Sequence, residues 1–588
     1  ANGTSQNYTP GTELADGILY RRKVTSGANV GYTNTVKVYT PPNVRQGSEF
    51  WMAFSRNYNA TAPPVYLRFT SDRNVTVTLE FLDNAAANQT INVTAGTVYT
   101  HTLTAAQRTA SYNYYSSTIT TNKSIHIVAT DSVQVAACNY GNTTPDATTI
   151  YPAQDLGQEY YALGYRTEGG GWAPYAFDNF LVIATQDNTK VYQNSIGGTL
   201  LATLSKGQVY NHYAANLIDL TGIHVVADKP VAFFTGTSLI YVPISTYAGG
   251  GGDQLFQQLY SVDKWGTRFF VPRNYGNKAR IRVLASENGT TLTIPGLSTP
   301  PTTAATMKAS TALTGPITTE PGQGVTSGGQ SSLSINAGQF VEIDMGSAVP
   351  GCYIQSNKPV MVGAYLPGMN YAYVANQVDA SMTYVSPMEQ SVHSVTASAF
   401  TIGASGTKYH CLLIVTPTAT KASTTISVNG GAPAAISATW VDNASAGMSF
   451  CVYTINTTSY YKITNNAGIV VYGQGFENGG GYYYVVGSAA RNLKATLMVN
   501  SLSYEEMQGR VYYRYNGVDP TIAFRCDYSA TPSSISWTLD GVAQPAQNNQ
   551  AAWQTTLSDG DHIVVMTITI GGVTFVQSAW FKVRDFIP

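Results

Sequence analysis

Apolar and polar residues alternate with period two along most of the chain, and no run sustains the 3.6-residue period of a helix, so the elements predicted are strands. The alternation is organised into copies. A strand, a short polar turn and a second strand recur four times: Leu67–Leu79, Leu181–Val191, Ile281–Ile294, and Leu412–Pro417 with Thr424–Val428. Each copy continues through a glycine turn into a further strand, at Gly96, Gly207, Gly338 and, more weakly, Gly447. Each then closes on a predicted hairpin: Ile125–Val135, Ile223–Phe233, Tyr353–Val362 and Ile463–Val471. Asp228-Lys229-Pro230 and Asn357-Lys358-Pro359 suit the turn, because an Asx side chain satisfies local N–H groups and proline lacks a donor that a neighbour would have to accept.

Copies of this length match a β-sandwich and are too long for propeller blades of ~40 to 50 residues. The predicted fold class is all-β: tandem β-sandwich repeats with a C-terminal immunoglobulin-like domain. The boundaries read as an extended lead segment 1–45, sandwiches at 46–149, 150–262, 263–389 and 390–490, and the last domain at 491–588. A Thr/Pro/Gly/Ser-rich insertion at 296–332 reads as a surface loop in the third sandwich. In the last domain Cys526 and Trp537 stand as the strand-B cysteine and strand-C tryptophan of an immunoglobulin-like core; Val564 replaces the second cysteine, so the inter-sheet disulfide is missing.

Composition narrows the partners. Charged residues are 11% of the 588, with Lys+Arg 32 against Asp+Glu 33 and no basic run, so the counterion release that drives nucleic-acid binding has no source. No stretch approaches the ~20 apolar residues of a transmembrane helix. A start at Ala1 rather than Met fits removal of a secretion signal and a secreted or outer-surface location.

Candidate chemistry is sparse. The seven histidines form no metal-ligand motif, so neither metal nor cofactor is expected; His126 and His224 share one repeat position, which favours a structural role. No nucleophile elbow is present, and Asp155, Glu159, Glu168 and Asp178 are carboxylates whose facing, needed for glycoside hydrolysis, sequence does not show. Cys411 and Cys451 lie on two strands of the fourth copy: a disulfide bridging its sheets and a pair of buried thiols are both open readings. Aromatic clusters are the most suggestive feature: Trp172, Tyr175 and Phe177 after three glycines, Tyr241 and Tyr247 around the next glycine run, Tyr371 and Tyr373, and Tyr482 and Tyr483 after Gly479-Gly480-Gly481. Rings on loops of a rigid β scaffold give contact area at low entropic cost, although aromatics also fill sandwich cores. These nine are the candidate ligand-binding residues.

The segment Asp253 to Pro272, with its Gln-Leu, Trp-Gly-Thr and Phe-Val-Pro elements, together with Lys229–Gly236 and Arg280–Thr290, resembles the N-terminal domain of the IgG Fc-binding protein family over roughly residues 130 to 375. That resemblance implies a non-enzymatic extracellular binding or adhesion role, and the lack of cysteine-dense repeats points to a bacterial surface member of the Bacteroidetes type. The leading expectation is therefore a non-catalytic surface protein that recognises a glycoprotein, glycan or protein partner. The alternatives are a self-assembling subunit of a surface layer, appendage or virion fibre, with residues 1–45 as a donated strand, and, last, a glycosidase-like enzyme.

Overall fold

The structure is a computed structural model. It describes residues 19–586 apart from 21–22, 27–28, 33–35, 38–46, 59–63, 116, 142–143, 166–176, 215–217, 243–251, 275–278, 296–323, 326–329, 346–349, 369–378, 402–408, 478–479, 508, 529–530 and 571–572. Two compact units emerge, 44–491 and a second formed by 1–43 with 492–588.

In the first unit the four copies are four sandwiches of one plan, and a single long strand organises each of them. These are Ile125–Tyr140, His224–Ile240, Cys352–Leu366 and Tyr460–Glu477. In the first copy residues 125–129 pair with Gly47–Met52 and Val75–Phe81, whereas 134–139 pair with Val65–Thr70 and residues 135–140 with Pro145–Ile150. The strand leaves one sheet and enters the other, which is how sandwiches with crossed sheets make their corners. The predicted hairpins are therefore corrected to a bulge: the register slips between Val128 and Val133, and at the matching place in the other copies. Asp228-Lys229-Pro230 sits at that slip, where a residue without an N–H interrupts no ladder. The glycine turns are the second shared device. Gly96, Gly207, Gly338 and Gly447 all adopt positive φ, +67°, +80°, +73° and +63°, a region that costs a Cβ-bearing residue ~1 kcal/mol or more.

Each copy ends in a short inner strand: Pro145–Ile150, Asp253–Gln258, Ser381–Tyr384 and Gly480–Gly487. The four inner strands pack side by side, first against second, second against third, third against fourth and fourth against first. The sandwiches thus close into a ring. Its cores confirm the closure: one spans the first, second and part of the third copy, another joins the third to the fourth, and a third joins Ala136, Cys138 and Ala147 of the first to the fourth.

The second unit holds a four-stranded and a five-stranded sheet, built from residues 495–585. Cys526, Trp537 and Val564 share its buried core, as an immunoglobulin-like domain requires. Part of the lead segment forms its own antiparallel ladder, Leu19–Tyr20 with Val36–Lys37 and Lys23–Ser26 with Asn29–Tyr32. Most of the 296–332 insertion lies outside the described residues; Gly324–Val325 adds to the third copy's sheet in parallel. Among the described residues, no helix is long and apolar enough to cross a membrane.

Candidate binding surface

The ring's axis is polar, and one side chain ties it together. Gln257, on the second inner strand, donates from Nε2 to the carbonyls of Ala147 (2.7 Å), Met382 (2.8 Å) and Tyr483 (3.3 Å), one from each of the other three copies. The Asp146 carboxylate accepts from Phe256 N (2.9 Å) of the second copy and Tyr483 N (3.4 Å) of the fourth. Asp253 accepts from Gly481 N at 3.1 Å. Asp146 meets Phe256 and Thr148 meets Gln258, Asp253 meets Gly481 and Gln257 meets Tyr483, and Asp379 lies beside Gly481 while Met382 meets Gln257, so contacts at two successive levels show that the inner strands run in the same direction. The inner strands therefore all begin, at Pro145, Asp253, Ser381 and Gly480, at the same end of the ring.

Two junctions of the ring carry an arginine at an equivalent position. Arg68 and Arg282 occupy matching sites in the first and third copies, each two residues before the partner of the residue two after its glycine turn. Arg68 donates to Ser398 O (2.9 Å) of the fourth copy and lies 4.0 Å from the Phe400 ring. Arg282 donates to Gly164 O (2.8 Å) of the second copy and lies 3.9 Å from the Tyr165 ring. Arg282 also binds Asp219 (2.9 Å) and Glu342 (2.8 Å), with all three side chains buried. Burial alone would lower its pKa; the two carboxylates outweigh that and hold the guanidinium above its ordinary value.

The predicted contact residues divide into two sets. Trp172, Tyr175, Tyr247, Tyr371 and Tyr373 lie outside the described residues. Phe177, Tyr241, Tyr482 and Tyr483 are corrected to interior residues, 1%, 6%, 1% and 1% exposed. Phe177 is held by exchange with Ser238, Tyr482 OH accepts from Phe400 N and meets His410 Nδ1 at 3.0 Å, and Tyr483 packs where the third copy meets the fourth. The tyrosine run follows a glycine turn yet belongs to an inner strand, whose two faces are both covered.

The disulfide is corrected as well. Cys411 and Cys451 are free thiols on neighbouring strands, but Cys411 pairs with Thr454 and Ile414 with Cys451. The two cysteines are three positions out of register and belong to different cores, so their Sγ atoms leave opposite faces of the sheet. Burial pushes each thiol up to about 12.

His126 and His224 have matching surroundings. His126 stacks on Trp51 at 3.9 Å and bonds to Glu80 (2.7 Å) and Glu49 (2.9 Å); His224 stacks on Tyr161 at 4.2 Å and bonds to Glu159 (3.1 Å). Asp178 is fully buried, accepting from Leu220 N and Thr237 Oγ1, and Glu168 lies outside the described residues. Among the described residues, no three His, Cys, Asp or Glu side chains converge as metal ligands do.

Sequence reasoning passed over Gln257, Asp146, Asp253, Arg68 and Arg282. The arginines had a signal, the same position in alternate copies. The axial residues had none, because the inner strands share no residue pattern.

A model of the IgGFc binding protein family matches residues 146–327 and 316–475, more than half of the chain. No curated protein matches it significantly. Among solved structures, the fibronectin(III)-like modules of Clostridium thermocellum CbhA are 12% identical, covering 33% of this chain and 86% of theirs at a TM-score of 0.12. The four N-terminal Ig domains of Dscam1 isoform 4.44 are 8% identical over 73% of this chain and 98% of theirs at 0.13. Escherichia coli alpha-2-macroglobulin activated by porcine elastase is 10% identical over 92% of this chain and 53% of that one at 0.14. Scores this low carry no consequence for arrangement or function.

Proposed function

The chain belongs to the IgGFc-binding protein family, and from that premise we propose that it is a non-catalytic, secreted or surface-exposed binding protein whose partner is a protein or glycoprotein. One observation carries the reading to residues: the inner strands all begin at one end of a closed ring, and in the chain the aromatic stretches 243–251 and 369–378 come just before two of them, as 166–176 comes just before the strand that opens at Asp178. A rigid platform of this kind lets several segments engage one partner without each having to be ordered alone, and tyrosine and tryptophan are the side chains that concentrate interface energy. Trp172 and Tyr175 of the second copy, Tyr247 at its turn, and Tyr371 and Tyr373 of the third copy are the contacts we assign. The partner's surface is expected to be weakly charged, because this chain has little charge with which to steer it.

The test is binding of the full chain to immobilised IgG Fc, a mucin-type glycoprotein and a glycan array. Specific binding to at least one that falls ten-fold or more in Trp172→Ala with Tyr175→Ala, at unchanged melting temperature, supports the proposal. Blank results on all three, or binding indifferent to the aromatic substitutions, refute it.

A further inference from the structure

The end of the axis where the inner strands begin holds three carboxylates, and no cation among the described residues acts on them. Asp146 and Asp253 are fully buried and Asp379 is 4% exposed. Asp146 is satisfied, its oxygens taking N–H groups from Ala147, Phe256 and Tyr483. Asp253 takes Gly481 N and Gln254 N, but feels both other aspartates. Asp379 is the least provided for: its Oδ1 is buried without a hydrogen-bond partner. The backbone of Asp379 is the nearest neighbour of Gly481, whose N–H serves Asp253, so third, second and fourth copies meet there.

A buried carboxylate with no donor and like charges nearby is costly to ionise, and the remedies are a proton or a cation. The titratable group that acts on the pair from another element is Asp146 of the first inner strand, with the Gly481 N–H of the fourth serving Asp253. Neither is cationic, and no lysine, arginine or histidine among the described residues acts on Asp253 or Asp379.

We propose that this end of the axis is a proton-operated latch: neutral Asp379 and Asp253 hold the four inner strands together, and loss of a proton loosens that end. Burial sets the working range by pushing the Asp379 carboxyl up to about 7, and burial followed by the Asp379 charge also raises Asp253 well above the carboxylate range. The sign follows from linkage. Above its unfolded value near 4 the unfolded chain has already lost the proton that the ring still holds, so stability declines from there until Asp379 ionises near pH 7, then levels off.

The experiment compares Asp379→Asn with the parent chain between pH 5 and 8, so titrations of groups not coupled to Asp379 cancel. Asparagine keeps the shape without the charge. The stability advantage of the variant is expected to grow with pH, reaching roughly a thousand-fold in folding equilibrium by pH 8, the span between the two carboxyl values. In the parent chain alone, hydrogen exchange of 253–258, 381–384 and 480–487, corrected for intrinsic base catalysis, should quicken between pH 6 and 8. Parallel stability curves, or exchange without that rise, overturn the proposal. So does a rise in melting temperature on adding calcium at pH 8 that Asp379→Asn abolishes, since a cation would then be the neutralising partner.

Discussion

Replacing Arg282 by alanine should open the junction between the second and third copies. Arg282 is 1% exposed and gives four hydrogen bonds at 2.8 to 2.9 Å, to Glu342, Asp219, Thr221 and Gly164, within a cage of the Tyr165 and Phe340 rings. Glu342 keeps Arg280 at 3.1 Å and Tyr165 OH at 2.9 Å, so its loss is partial. Asp219 loses the Arg282 guanidinium, keeps the Thr221 N–H, and is fully buried. Removing one partner of such a pair costs ~3 to 5 kcal/mol, most of it the stranded charge. Unfolding entropy of ~2.1 cal/mol/K per residue gives about 0.9 kcal/mol/K for the 44–491 unit, hence a fall of roughly 3 to 5 °C in its calorimetric transition. Adding Asp219→Asn to Arg282→Met should recover about 1 to 2 kcal/mol relative to Arg282→Met alone, because the stranded charge is gone. A fall below 1 °C for Arg282→Ala, or no recovery in the double variant, would refute the view that this buried network holds the ring.

Other outcomes follow from the same geometry. Arg68→Ala removes the charged bond to Ser398 and the stacking on Phe400, and should cost about 2 kcal/mol and speed protease cleavage near the first-to-fourth junction. With five free buried cysteines, the intact chain should show no thiol reactive to a disulfide reagent, the urea-unfolded chain five, and reductant should leave the melting temperature unchanged. His212 is buried against Phe180 and burial lowers it to about 4; between that value and its unfolded value near 6.5 the unfolded chain alone takes the proton, so stability is lost as pH falls through this window. His212→Phe should flatten that acid limb, as read from urea midpoints at pH 4.5 and 7.

Much of the scaffold was legible because local rules repeat. Four glycines at four equivalent positions all proved to need positive φ, and alternation located the strands that flank the polar and glycine turns of each copy. The bulge was misread as a hairpin because a strand that changes sheets and a strand that turns back share one signal, an Asx-Lys-Pro break in alternation. Closure was invisible for another reason. Pro145–Ile150, Asp253–Gln258, Ser381–Tyr384 and Gly480–Gly487 have no common motif, since each meets different neighbours at the axis. The same crowding explains Tyr482 and Tyr483, which a glycine turn made look loop-borne although both faces of their strand are covered. Cys411 and Cys451 were placed on neighbouring strands, but register, which sequence spacing does not report, put them on opposite faces.

Hydrogen exchange on Gln257→Leu tests the closed ring most directly, since that one amide touches the other three copies. Closure predicts faster exchange in 145–150, 381–384 and 480–487 together with 253–258, by a similar factor, as the carbonyls of Ala147, Met382 and Tyr483 lose their donor. Acceleration confined to 253–258 would contradict it and would leave four sandwiches that fold side by side without a common axis.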